Sequence, residues 1–241
     1  MTFTRNNLDN ASSPYLQQHK GNPIHWQEFN NEVTEYARKE GKLIFVSIGY
    51  ATCHWCHVMA HESFENEDVA DYLNENFVCI KIDREQRPDI DLYFMNYIMQ
   101  TQGQGGWPLN VFLTPDIKPI LALTYIPLTP KYGMLGFLDL IRSVNEFYRT
   151  NSKNVTDFEM PDFKLKSVEK EDIIQTINSM FDKYNGGFGN AMKFPPHNTL
   201  LFLIYLESKE IVEKTLDNMS LKGLHDHLQG GFFRYCVDSQ W

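Results

Sequence analysis

The chain has 241 residues, 42% of them hydrophobic and 22% charged, with a net charge of −9. These are globular proportions that exclude collagen-like and low-complexity chains, and the acidic balance argues against a surface that tracks nucleic-acid phosphates. No run approaches the ~18 apolar residues of a membrane-spanning helix and Met1 to Asn7 lacks the build of a secretory signal, so a cytoplasmic protein without nucleic-acid or membrane partners is expected.

Asn6 to Asn22 is polar and broken by Pro14, which predicts an opening loop. Trp26, Phe29, Val33 and Tyr36 recur at spacings of three and four, which predicts a helix stopped at Gly41. Leu43 to Ile48 is a short apolar run, the mark of a buried strand. The residues after Cys53 carry no breaker, so Cys53 is expected at a helix N-terminus, and Asn66 caps a further helix with Glu67 and Asp68 in its first turn. Phe77 to Asp83 reads as a second strand, and Asp89 to Thr101 as a helix. Trp107-Pro108 precedes a third strand, Leu109 to Leu113, and a turn at Pro115 to Lys118 leads to a fourth, Pro119 to Tyr125. Leu138, Ile141, Val144 and Tyr148 mark a closing helix. The helical crossover makes the first two strands parallel, and the last two form a hairpin.

The pattern then changes. Thr150 to Lys166 is polar, interrupted by Pro161 and without periodicity. Helices alone follow, striped by Ile173, Ile177, Met180 and Tyr184, then Leu200 to Leu206, then Ile211 to Leu228. The expected division is an α/β domain over 1–150, a linker over 151–166 and an all-α segment over 167–241. Three helices are near the size at which one core barely outweighs chain entropy, so exposed apolar helix faces there predict self-association.

Four cysteines are too few for a disulfide scaffold. Cys79 lies mid-strand, expected buried and inert, Cys236 stands alone, and Cys53 and Cys56 form a C-x-x-C pair. A strand leading into C-x-x-C at a helix start supports a thiol–disulfide site. The helix dipole and free N–H groups would stabilise a thiolate on Cys53, a protonated His54 would add to this, and Cys56 would resolve the mixed disulfide. Three other readings stand beside it. Cys53 to His57 is literally the C-x-x-C-H of covalent haem attachment, in an ill-fitting strand–helix setting. Cys53, Cys56, His57 and His61 are enough ligands for a metal, although Val58 replaces the glutamate of H-E-x-x-H. The pair could also be structural. Trp107-Pro108 tips the balance, because thioredoxin-like folds place a cis-proline loop beside the disulfide.

Ser13-Pro14-Tyr15-Leu16, Ser47-Ile48-Gly49-Tyr50, Cys53-His54-Trp55-Cys56-His57-Val58-Met59, His61-Glu62-Ser63-Phe64, Asp83-Arg84-Glu85 and Gly103-Gln104-Gly105-Gly106-Trp107-Pro108 resemble the thioredoxin-domain family that includes spermatogenesis-associated protein 20. Gly186-Gly187-Phe188-Gly189, Lys193-Phe194-Pro195 and His225-Asp226-His227-Leu228 extend the resemblance nearly end to end. It implies a thioredoxin-like domain followed by the start of an (α/α)6 barrel of the six-hairpin glycosidase type, with the rest of the barrel missing. Ile117 stands where the hairpin turn has glycine, and Ala122-Leu123 replace a glycine pair. Ser47 occupies the place of thioredoxin's buried aspartate, and His54-Trp55 replaces glycine-proline, which implies a more oxidising couple than thioredoxin.

The expected function is therefore thiol–disulfide exchange with a protein or small-molecule thiol or disulfide substrate, without cofactor or metal. Cys53 attacks, Cys56 resolves, His54 tunes the thiolate, Pro108 shapes the groove, and Tyr50, Trp55 and Trp107 contact substrate, with packing around the site the equal alternative for Tyr50 and Trp55. The alternative is a binding or scaffold module whose cysteines are structural or hold a metal. Asp83, Arg84, Glu85, Arg87 and Asp89 read equally as a ligand edge or as surface ion pairs, and His225, Asp226 and His227 could line a barrel pocket but read better as structural or orphaned residues.

Overall fold

The computed structural model describes residues 3–131, 133–161, 167 and 169–241. The chain divides into two compact units, 1–162 and 163–241.

The first unit is built on a five-stranded sheet of order β1-β3-β2-β4-β5, with β1 Gln27–Glu28, β2 Leu43–Gly49, β3 Phe77–Asp83, β4 Leu109–Leu113 and β5 Pro119–Leu123. β2 runs parallel to β3 and to β4 antiparallel, and β4–β5 is an antiparallel hairpin. This mixed α/β arrangement, followed by helices, is the thioredoxin-like architecture that the resemblance implies. The central strands are buried on both faces, and their side chains alternate between two cores. Phe45, Cys79 and Phe112 face one core together with α3 His54–Met59, α4 Glu67–Asn76 and α6 Phe137–Asn151. Ile44, Val46, Ile80 and Val111 face the other, with α2 Asn31–Glu40 and α5 Pro88–Gln102.

Several expectations need correction. The opening loop contains a helix, α1 Pro14–Gln18, started by the Ser13 side chain on the Leu16 N–H and by proline at its first position. Trp26 and Phe29 precede α2 instead of belonging to it. Asn30 caps that helix through the Val33 N–H, and the backbone at 27–28 pairs with β3 as β1. Trp26 was apolar at helical spacing only by coincidence; its ring packs 5.2 Å from that of Phe64. β5 stops at Leu123, short of Tyr125, and a π-helical turn, Ala60–Phe64, continues α3. Of the stretch read as a linker, Phe158 packs on Tyr93 and Tyr97 of α5, and Asp157 pairs with Lys118 at 3.0 Å. Residues 162–166 lie outside the described residues.

In the second unit, α7 Lys170–Met180, α8 His197–Tyr205 and α9 Lys209–Leu221 surround a small core of Leu200, Leu203, Val212, Met219, Leu224 and Trp241. The last helix ends at Leu221, not Leu228, and Tyr184 lies beyond α7 in a turn. Lys193 is buried, with Nζ 2.6 Å from Asp182 Oδ2 and also donating to the Gly186 carbonyl.

Candidate functional site

β2 ends at Gly49, and the chain turns through Tyr50 to Cys53, the N-cap residue of α3. Cys53 and Cys56 are joined as a disulfide, and Cys53 Sγ accepts the Cys56 backbone N–H at 3.2 Å. An N-cap sulfur at that place meets N–H groups with no partner inside the helix, the environment that favours negative charge. Both cysteines are buried, at 3% and 1% exposure, within the core that holds Met59 and Phe64.

The other site residues expected from sequence surround this pair. His54 is exposed at the first helical position, its ring 5.6 Å from that of Trp55. Trp55 is 43% exposed and packs 4.9 Å from Tyr125, whose hydroxyl bonds the Glu62 carboxylate. Pro108 is buried and its peptide bond with Trp107 is cis. Leu109 faces Ile48 in register, so Pro108 sits at the end of β2 from which the chain leads to the cysteines. Tyr50 and Trp107 meet edge to face at 5.9 Å. The Arg84 guanidinium lies 3.8 Å over the Trp107 ring, and Asp91 holds both, accepting from the indole N–H at 2.7 Å and pairing with Arg84 at 3.4 Å.

The four residues that could have ligated a metal are engaged separately. The cysteines are paired, His57 Nε2–H donates to the Ala51 carbonyl at 2.9 Å, and His61 Nδ1 meets Glu65 at 2.9 Å. Among the described residues no three His, Cys, Asp or Glu side chains group as a metal centre. Cys79 is buried, which pushes its thiol up. No described helix is long and apolar enough to cross a membrane.

Sequence reasoning missed a polar row on the disulfide's side of the sheet. Ser47 stands in register with Lys81 on one side and Asn110 on the other. All three are at most 1% exposed, and Lys81 Nζ donates to Ser47 Oγ at 2.9 Å. Burial holds the Lys81 amine well below the ordinary lysine range. Tyr15 also lies on this side, fully buried, with Lys81 Nζ 5.2 Å from its ring centre. A lysine inside a mostly apolar strand is the signal in the sequence that could have drawn attention to the row.

A family model described as Thioredox_DsbH, protein of unknown function (DUF255), matches residues 5–163. An uncharacterised protein of Caenorhabditis elegans is 42% identical over 265 residues, spanning 100% of this chain and 36% of the relative. Spermatogenesis-associated protein 20 of Mus musculus is 35% identical over 266 residues, 99% of this chain and 34% of its own. The chain thus spans about a third of the length of the curated relatives it matches. Among solved structures, a DsbH oxidoreductase aligns with TM-score 0.38 and 16% identity, over 51% of this chain and 85% of its own. A putative disulphide-isomerase from Bacteroides thetaiotaomicron aligns with TM-score 0.39 and 22% identity, over 52% of this chain and 95% of its own.

Proposed function

The chain belongs to the Thioredox_DsbH family, and on that premise we propose that it is a thiol–disulfide oxidoreductase using Cys53 and Cys56. The observation that carries the reading is the Cys53 sulfur seated as N-cap of α3, accepting the Cys56 N–H. On reduction, that same position would stabilise a Cys53 thiolate, and the adjacent His54 ring, when protonated, would add to the effect.

The exchange balances as follows. The Cys53 thiolate attacks one sulfur of a substrate disulfide, forming a mixed disulfide and releasing the other sulfur as a thiolate. Cys56, after losing its proton to solvent, attacks Cys53 Sγ and expels the second substrate thiolate, so two electrons have passed to the substrate. Run in reverse, the Cys53–Cys56 disulfide oxidises a substrate dithiol. Trp107-Pro108 and Tyr50 would form one wall of the substrate groove and Trp55 the other, suited to an extended polypeptide or a small thiol. We place this activity in the cytoplasm.

The near-complete burial of both cysteines favours a second reading, a structural pair within a scaffold or binding module for the larger relatives' helical region. Trapping separates the two. With a disulfide-bonded peptide, Cys56→Ser should accumulate a covalent adduct on Cys53, and Cys53→Ser should abolish both adduct and turnover. Equal inertness of wild type and Cys53→Ser would favour the scaffold.

A further inference from the structure

The Tyr15 hydroxyl is buried and, among the described residues, has no hydrogen-bond partner in the disulfide form. Such a group is costly to leave unmade, and each one in a folded protein asks for a reason. Its position is not an accident of loose packing. The Ser13 hydroxyl caps α1 and donates to Asp83 Oδ2 at 2.5 Å, and this bond fixes α1 against the end of β3. The Tyr15 ring is held edge to face on His19 at 5.0 Å and lies beside Lys81.

The resolving cysteine lies close beside this hydroxyl, since both border the place a Gly49 Cβ would take. A Cβ on Gly49 would collide with the Tyr15 hydroxyl and would lie 2.7 Å from Cys56 Sγ. The two groups therefore converge on the one patch of β2 that carries no side chain, and glycine is what lets them do so. A disulfide sulfur is a feeble acceptor and a thiol sulfur a weak one, whereas a thiolate sulfur, being charged, accepts far better. Burial first, and then the Asp83 carboxylate, push the Tyr15 phenol up, so it remains a donor.

We propose that the Tyr15 hydroxyl donates a hydrogen bond to Cys56 Sγ when the pair is reduced, and thereby stabilises the dithiol form over the disulfide. This rests on the reading that Cys53 and Cys56 cycle. The step it biases is the exchange with two glutathione thiols, which breaks the Cys53–Cys56 bond, leaves two protein thiols and forms glutathione disulfide. Tyr15 keeps its proton throughout.

The test is the equilibrium of the full chain against glutathione buffers, read by thiol trapping, in wild type and Tyr15→Phe. Phenylalanine keeps the ring and removes only the hydroxyl. The expected result is an approximately tenfold shift toward the disulfide in the variant, about 30 mV more reducing. A purely structural tyrosine would lower the urea midpoints of the oxidised and reduced forms alike; here only the reduced form should lose stability. As a check that needs no variant, the Tyr15 ring Cζ resonance of wild type should move on reduction. A wild type that cycles, with an unshifted equilibrium in the variant or an unmoved Tyr15 resonance, overturns this proposal alone. A wild type that never cycles overturns the oxidoreductase reading with it.

Discussion

Lys81 Nζ donates to Ser47 Oγ at 2.9 Å across the parallel β2–β3 pair, with the Phe64 ring centre 4.3 Å from the same nitrogen. A hydroxyl and aromatic faces are poor compensation for a buried charge, which is why burial lowers this amine. Between the lowered folded value and the ordinary 10.5, the unfolded chain binds more protons than the folded one. Stability therefore rises with pH through that window and is lost as pH falls, by about 1.4 kcal/mol per unit. Lys81→Met should flatten this slope and exceed wild type in urea midpoint at pH 7, with the gap closing toward pH 10. A wild-type midpoint unchanged from pH 7 to pH 10 would contradict it.

His19 acts in a lower range. Its Nδ1–H donates to Asn22 Oδ1 at 2.9 Å, while burial first and Lys81 second bring its pKa from 6.5 down to about 2. The stabilisation this neutral histidine provides is complete above pH 6.5 and is lost as pH falls toward 2. Between pH 6.5 and 4 the unfolding free energy of wild type, read from urea curves, should fall by about 1.4 kcal/mol per pH unit from this group, and His19→Gln should show a shallower dependence. Parallel curves would rule out His19 as the source.

Gly49→Ala should be among the more damaging small substitutions in the chain. Its Cβ would meet Cys56 Sγ at 2.7 Å and the Tyr15 hydroxyl, neither of which can withdraw from a filled core. We expect a loss of about 1–3 kcal/mol, typical of overpacking, together with partial failure of the Cys53–Cys56 bond to form in air. Wild-type midpoint and full disulfide content would show that the strand end yields.

These two residues also show how far the sequence was legible. β2, β3 and β4 were readable because continuous apolar runs have few other uses, and the starts of α3 and α4 because Cys53 and Asn66 follow or precede clear pattern changes. α1 was hidden because five residues give no periodicity, although Ser13-Pro14 is a start signal. The pairing of Ser47 with Lys81 was hidden for a different reason. Register between strands separated by two helices is a tertiary fact, and a lone lysine in a strand does not announce its partner. Tyr15 reaching Cys56 past Gly49 is of the same kind.

Ile117 occupies a turn position whose backbone suits glycine. Its φ is 67°, the left-handed region, in the turn closed by the Ile117 N–H on the Thr114 carbonyl at 2.9 Å. A β-branched residue is strained at that angle, at a cost of roughly 1–2 kcal/mol. Ile117→Asn should raise stability by about 1 kcal/mol, seen as a higher urea midpoint, since asparagine adopts this conformation more readily. A lower midpoint would mean that the half-buried side chain contributes more by packing than its backbone loses.

An oxidoreductase of this kind requires Cys53 and Cys56 to exchange electrons at equilibrium. The direct measurement is their reduction potential, by thiol trapping of the full chain across glutathione buffers, repeated with a chelator present. A reversible two-electron transition, unaffected by the chelator and more oxidising than the roughly −270 mV of thioredoxin, is the predicted result. A pair that remains disulfide-bonded across the whole series would contradict it.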